Sequence, residues 1–207
     1  MEKSELKEHI ETGFLLLDGA TGTQLQDRGL PAGACPELWV LENPDALREL
    51  QRAYFEAGSH AVCTCTFGAN AVKLADYGVD EADVPSLNKR LAALSREAAG
   101  DAGLVVGELG PTGQFVEPFG QMGFERAVRV FGSQVRGLAD GGADVLIIQT
   151  MMDIQEARAA LIAARETCDL PVLASLTFNE DGRTLTGTPP EAGAVILQSL
   201  GADAVGC

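Results

Sequence analysis

Residues 143–153, Ala-Asp-Val-Leu-Ile-Ile-Gln-Thr-Met-Met-Asp, constrain the fold more than any other stretch of the chain. Val145 to Ile148 form an apolar run suited to a strand buried on both faces. The run ends in the polar pair Gln149-Thr150, and a helix pattern begins almost at once. Asp153 stands at the N-cap position, with Glu156 three residues on, the spacing of a capping box. A strand that ends in polar side chains and passes directly into a helix is half of a βα unit. In parallel α/β folds the chemistry sits where such strands end.

The rest of the chain repeats this plan. An amphipathic helix over 4–11 precedes the apolar run Phe14-Leu15-Leu16-Leu17, which reads as a buried first strand closed by Asp18-Gly19. Residues 28–39 carry Gly29, Pro31, Gly33 and Pro36 and read as a loop. Asn43-Pro44 is an N-cap followed by Pro at the first helical position, opening a helix to about Ala57. Strands follow over 60–66, 104–109, 143–148 and 170–178, each with a helix behind it, and Thr188 to Glu191 opens a further capped helix. Gly142-Ala143-Asp144-Val145 and Gly201-Ala202-Asp203-Ala204-Val205 share one pattern, and Gly58-Ser59-His60-Ala61-Val62 is a looser copy. Each marks passage from a helix into a strand. Alternation of this kind implies a parallel sheet with right-handed crossovers. No Gly-x-Gly-x-x-Gly follows the first strand and no Walker sequence occurs, so a nucleotide-binding sheet lacks its signature. The expected fold is a (β/α)8 barrel of the TIM type, a single domain over 1–207. Such barrels take about 250 residues, so the pattern is expected to break off within or just after its sixth strand, which opens at Gly201.

Bulk properties narrow the partners. The formal net charge of −15 excludes nucleic acid and anionic membrane surfaces as natural partners, since both call for positive charge. No apolar run reaches the length of a membrane span. The opening MEKSELKEHIETG is charged and helical, unlike a signal peptide. Five cysteines, an odd number, imply reduced thiols and a cytoplasmic location.

The polar strand ends supply the candidate site. Asp18 either caps the following helix or holds a cation or amine, and the residues leave both open. Glu108 ends the third strand, where it either faces the barrel mouth or serves packing. His60 enters its strand at the opposite end, the face that serves stability in barrels. Phe115 and Phe119 flank the Gly113 loop, either lining a pocket or covering a core edge.

Several stretches, in order, resemble the homocysteine S-methyltransferase family. They are Asp18-Gly19-Ala20-Thr21-Gly22-Thr23, Thr66-Phe67-Gly68-Ala69-Asn70, Gly110-Pro111-Thr112-Gly113 with Glu117-Pro118, Gly142-Ala143-Asp144 through Thr150, and Gly201 through Gly206. The resemblance implies transfer of a methyl group to the thiol of homocysteine, giving methionine, with zinc activating the thiolate. It implies substrate contacts at Asp18, Gly19 and position 149, and with Thr66, Asn70 and Glu108 near the strand ends the expected substrate-binding set is Asp18, Gly19, Thr66, Asn70, Glu108 and Gln149. Two departures stand out. Position 149 is usually a glutamate that binds the substrate ammonium, and here it is Gln149. Position 65 is commonly asparagine, and here it is Cys65.

The resemblance also places the zinc cysteines: one after the sixth strand in Gly-X-Asn-Cys, of which Gly206-Cys207 are the first two residues, and a pair near the eighth strand. It therefore predicts no metal ligand of the family's set within these 207 residues, and a coding sequence that continues into Asn-Cys. A substitute site from Cys63, Cys65 and Cys207 is the sharp alternative, against small buried thiols as the default. Corrinoid or folate is expected only through other domains. A second class of function is a non-catalytic amino-acid binder, or a partial barrel completed by a partner chain or oligomer.

Overall fold

The computed structural model describes all of residues 1–207. Five strands form one parallel sheet: β1 (Ala61–Cys63), β2 (Leu104–Leu109), β3 (Val145–Met151), β4 (Val172–Leu176) and β5 (Ala204–Gly206). Their order in space is their order in the chain. The helices are α1 (Lys3–Thr12), α2 (Gly22–Asp27), α3 (Pro36–Glu42), α4 (Pro44–Glu56), α5 (Ala71–Ala75), α6 (Val84–Ala99), α7 (Phe124–Asp140), α8 (Ile154–Thr167) and α9 (Pro190–Ser199). Consecutive parallel strands joined through helices form the wall of a (β/α) barrel.

The period-2 alternation of strands sorts side chains between two faces. Leu109, Leu146 and Ile148 point outward and pack with Phe131, Val135, Leu138, Ala160 and Leu161 of α7 and α8, within a core of 22 buried residues. A second core of 15 lies around α3, α4 and α6. At Gly137, α7 crosses α6 so closely that a Cβ would lie 2.3 Å from the Pro85 carbonyl oxygen. The inner face carries Ala61, Val106 and Val145, and Leu6 of α1 packs onto them from below. The same parity continues upward to Cys63, Glu108 and Gln149.

The repeated Gly-Ala-Asp segment is a register clamp. Asp144 Oδ2 accepts the Val105 N–H at 2.8 Å and pairs with Arg96 of α6. Arg96 also donates to the carbonyl of Gly142, which turns the chain at φ 94°. One unit on, Asp203 Oδ2 accepts the Val172 N–H at 2.8 Å and pairs with Arg165 of α8, which donates to the carbonyl of Gly201 at φ 93°. In each copy a helix-end arginine and a turn carboxylate tie a helix to two neighbouring strands. The looser copy at residue 60 works differently: the His60 imidazole Nδ1 accepts the Leu16 N–H at 3.1 Å.

That imidazole is why 14–17 is not a strand, contrary to the sequence expectation. His60 takes the place of a ladder carbonyl, and only one parallel bridge forms, Leu17 to Ala61. Phe14 is 70% exposed and Leu16 46%, so this apolar run is a half-open edge rather than buried. The β1 strand is also shorter than the 60–66 expected. The loop expected over 28–39 contains the start of α3, whose first helical residue is Pro36. Asn43 does not cap α4, because its amide turns back to donate to the Trp39 carbonyl. Asp153 caps α8 through the Gln155 N–H, but Glu156 does not close the capping box: its carboxylate accepts from Thr112 instead.

Asp144→Ala strands the Val105 N–H and the Arg96 guanidinium, and is expected to lower unfolding stability by about 2 kcal/mol. Urea titration checks this; a change below about 0.5 kcal/mol, the range of an ordinary surface substitution, would show that the clamp is dispensable.

Candidate active site at the strand ends

A cavity of about 560 Å³ opens at the C-terminal ends of the first strands. Its floor is the top of the inner face, Cys63, Glu108 and Gln149, and its walls come from 17–25, the start of α3, Cys65 to Gly68, and α5. Asp18 does not cap α2. Its Oδ1 accepts the Cys63 N–H at 3.0 Å, while Oδ2 is buried without a partner. Burial pushes the Asp18 carboxyl above its usual range, against the backbone bond from Cys63. Gly19 sits against Tyr54: a Cβ there would crowd the Tyr54 hydroxyl at 3.0 Å, and that hydroxyl donates to the Ala20 carbonyl.

Glu108 is held from behind. Its N–H donates to Thr64 Oγ1 at 3.0 Å and its carbonyl accepts from Thr66 Oγ1 at 2.8 Å. Its side chain accepts a hydrogen bond from the Gln149 amide. Burial, with the negative fields of Asp18 and Glu37, pushes the Glu108 carboxyl up to about 8, against the Gln149 bond.

A β-bulge gives Gln149 its place. Ile148 pairs with Ala174 and Met151 with Leu176, so two residues of β3 oppose one of β4. Thr150 absorbs the extra residue at φ 62°, an unfavourable region for a β-branched side chain.

Of the six expected site residues, Asp18, Gly19, Glu108 and Gln149 line the cavity. Thr66 and Asn70 stand behind its wall. Thr66 ties the end of β1 to Glu108, and Asn70 Oδ1 caps α5 by accepting the Val72 and Lys73 N–H groups. Phe115 and Phe119 lie outside the cavity, on a loop fixed by Glu156 through Thr112 and by Asp153 through the Val116 N–H. Met151 is buried in the core.

Three wall residues escaped the sequence reading: Glu37, Lys73 and Cys35. Glu37 is 5% exposed, accepts the Gly68 N–H at 2.7 Å and the Cys35 S–H at 3.1 Å, and so ties α3 to the loop after β1. Pro36 followed by an acidic residue and an apolar run was its signal. Lys73 lies over the Phe67 ring, 5.1 Å from its centroid, and makes no ion pair.

The substitute metal site is not formed. Cys63 and Cys65 line the cavity, but Cys207 borders a separate hollow with Leu176 and Phe178. No three His, Cys, Asp or Glu side chains are arranged to hold a metal ion. Burial beside Glu37 pushes the Cys35 thiol up to about 11, and burial with the fields of nearby carboxylates raises Cys63 and Cys65 well above the usual thiol range. Such thiols resist becoming the thiolates a zinc ion needs.

The profile of the family described as homocysteine S-methyltransferase matches residues 15–207. The chain belongs to the homocysteine S-methyltransferase family. Methionine synthases of Mycobacterium tuberculosis and Mycobacterium leprae are each 30% identical to it, over 98% of this chain and 18% of theirs. The chain thus spans about a fifth of the length of these relatives. Among solved structures, the metallated form of the homocysteine methyltransferase MmuM from Escherichia coli superposes with a TM-score of 0.84 at 25% identity, covering 97% of this chain and 76% of that one. The apo form of the same enzyme gives 0.73. These likenesses identify the sheet and helices as part of a TIM-type barrel.

Two outcomes follow from this geometry. Glu108 binds its proton more tightly folded than unfolded, so its stabilising contribution is complete below its ordinary pKa of 4.5 and is lost as pH rises to about 8. Measured against Glu108→Gln, the wild type is expected to lose stability steadily from pH 5 to 8 and then level off; a pH-independent difference would contradict this. Thr150→Gly, which relieves the left-handed strain, is expected to hold or gain stability by about 1 kcal/mol in chemical denaturation. A loss of that size would show that the bulge depends on the threonine side chain.

Proposed function

We propose that residues 1–207 form the homocysteine-holding barrel portion of an enzyme that moves a methyl group to the homocysteine thiol, giving methionine. One observation carries the reading. Three carboxyl groups, Asp18, Glu37 and Glu108, border a cavity whose lining has a single cation, Lys73, and Asp18 Oδ2 lies buried with no partner. Such a site is built to receive a cationic group, and the ammonium of an amino acid satisfies it through charge-assisted hydrogen bonds. The apolar wall from Leu17, Leu25, Phe67 and Leu74 suits the methylene chain. Family membership supplies the substrate class, and the mycobacterial relatives are methionine synthases.

In the reaction a new S–C bond forms as the methyl carbon leaves its donor, and the thiol loses its proton. The chain's own residues bind and orient the amino acid end, fixing the direction in which the sulfur points. The zinc implied by the family does not fit the thiols of these residues. No helix is long and apolar enough to cross a membrane. With five free cysteines, a cytoplasmic setting is part of the reading.

Calorimetric titration with L-homocysteine tests it. The chain is expected to bind saturably. Asp18→Asn keeps the bond from the Cys63 N–H but removes the charge, and is expected to weaken binding by about tenfold. Unchanged affinity, or no saturable binding by the wild type, would overturn the reading.

A further inference from the structure

We propose that Glu108 is the group that receives the substrate ammonium opposite Asp18, and that Gln149 is a positioning residue that orients Glu108 rather than an ammonium ligand. The proposal rests on the reading that the cavity takes a homocysteine-like amino acid.

The argument begins with strand parity. Glu108 of β2 pairs in register with Ile147 of β3, and Gln149 is the next residue on the same face of β3. The bulge at Thr150 sets Gln149 at the rim, where its amide Nε2 donates to Glu108 Oε1. That bond consumes one oxygen of Glu108. Oε2 receives no hydrogen bond from the protein, and Glu108 lines the cavity. The only other carboxylate oxygen left without a partner in this lining is Asp18 Oδ2. Two open oxygens, from two carboxyls that border the same cavity, form a two-point acceptor for an ammonium with three donors.

The pair also accounts for the glutamine at 149. A glutamate there would press a second carboxylate against Glu108, and two carboxylates in contact cannot both ionise. An amide donates instead. The charge that the family resemblance leads one to expect on β3 stands one strand over, on β2, and the residue at 149 has become its donor. The charged and titratable groups that share the cavity with Glu108 are Asp18, Cys35, Glu37, Cys63, Cys65, Lys73 and Tyr77, and only Lys73 is a cation. Burial, reinforced by this surplus of acid, pushes Glu108 up to about 8 and keeps it largely protonated at neutral pH when no ammonium is bound. Arrival of an ammonium reverses the balance, so binding expels the Glu108 proton to solvent while the ammonium keeps its own.

The test uses two thioethers that differ in one group: L-methionine, and 4-(methylthio)butanoate, which lacks the ammonium. Titrations at pH 7 in buffers of different ionisation enthalpy are expected to show proton release with methionine and little with the butanoate. Glu108→Gln is expected to weaken methionine about ten- to hundredfold, to abolish the proton release, and to leave the butanoate within about twofold. The exchange of the pair, Glu108→Gln with Gln149→Glu, is expected to restore most of the preference for methionine. Loss of both ligands equally in Glu108→Gln would assign Glu108 to the scaffold and overturn the proposal. Unchanged methionine binding would also overturn it while leaving the homocysteine reading intact, and so would an exchange variant that recovers nothing. A wild type that binds neither thioether would overturn the reading of the cavity itself, and the proposal with it.

Discussion

Parallel pairing of β1, β2 and β3 is the constraint on which the site depends. Because the strands run the same way, their ends fall at one rim, and because alternate residues share a face, Cys63, Glu108 and Gln149 arrive on the inner surface together. A slip of one residue in any of these strands would turn its member of the set into the outer core. The two Gly-Ala-Asp clamps guard against that slip from the opposite end of the sheet. Asp144 takes the N–H of Val105, the second residue of β2, and Asp203 that of Val172, the first of β4, so register is fixed far from the chemistry. Conservative geometry below and adjustable side chains above is the division of labour on which (β/α) barrels rest.

The cavity's acidity follows from the same placement. Backbone N–H groups offset part of it: Cys63 donates to Asp18 and Gly68 to Glu37. The rest is met at Glu108, whose carboxyl burial pushes up to about 8, while burial raises Asp18 in the same direction. A buried carboxyl that is neutral when empty and ionised when occupied is a means of recognising charge without holding unpaired charge in the unliganded state. The three cavity thiols are shifted in the same sense as the carboxyls, raised first by burial and then by the fields of the carboxyl groups. Surrounded by carboxyl groups, they stay protonated, which separates their role from that of metal-bound thiolates.

Much of this was legible in the sequence, and the misses have physical causes. Strand β2 matches its expected limits and helix α8 starts at its expected N-cap, Asp153, because a dense apolar run and a capped amphipathic segment are local signals. The clamps were visible as a repeated tripeptide, although their arginine partners, on preceding helices, were not. Residues 14–17 misled because an apolar run resembles a buried strand whether or not its ladder forms, and here one imidazole interrupts it. Helix α3 was hidden by the Gly and Pro content before it, and Glu37 with it. Asp18 was found but its role was left open, since choosing between a cap and a cavity acid requires knowing that Cys63 lies beside it. The Gln149–Glu108 contact joins residues 41 positions apart and hangs on a bulge that no periodicity reveals.

The most direct test of the account is a crystal structure of the chain with L-methionine bound. The account predicts the amino acid in the cavity at the strand ends, its ammonium nitrogen about 3 Å from both Asp18 and Glu108, with Gln149 still donating to Glu108. Methionine seated elsewhere, or bound there with its ammonium turned away from Asp18, would contradict it.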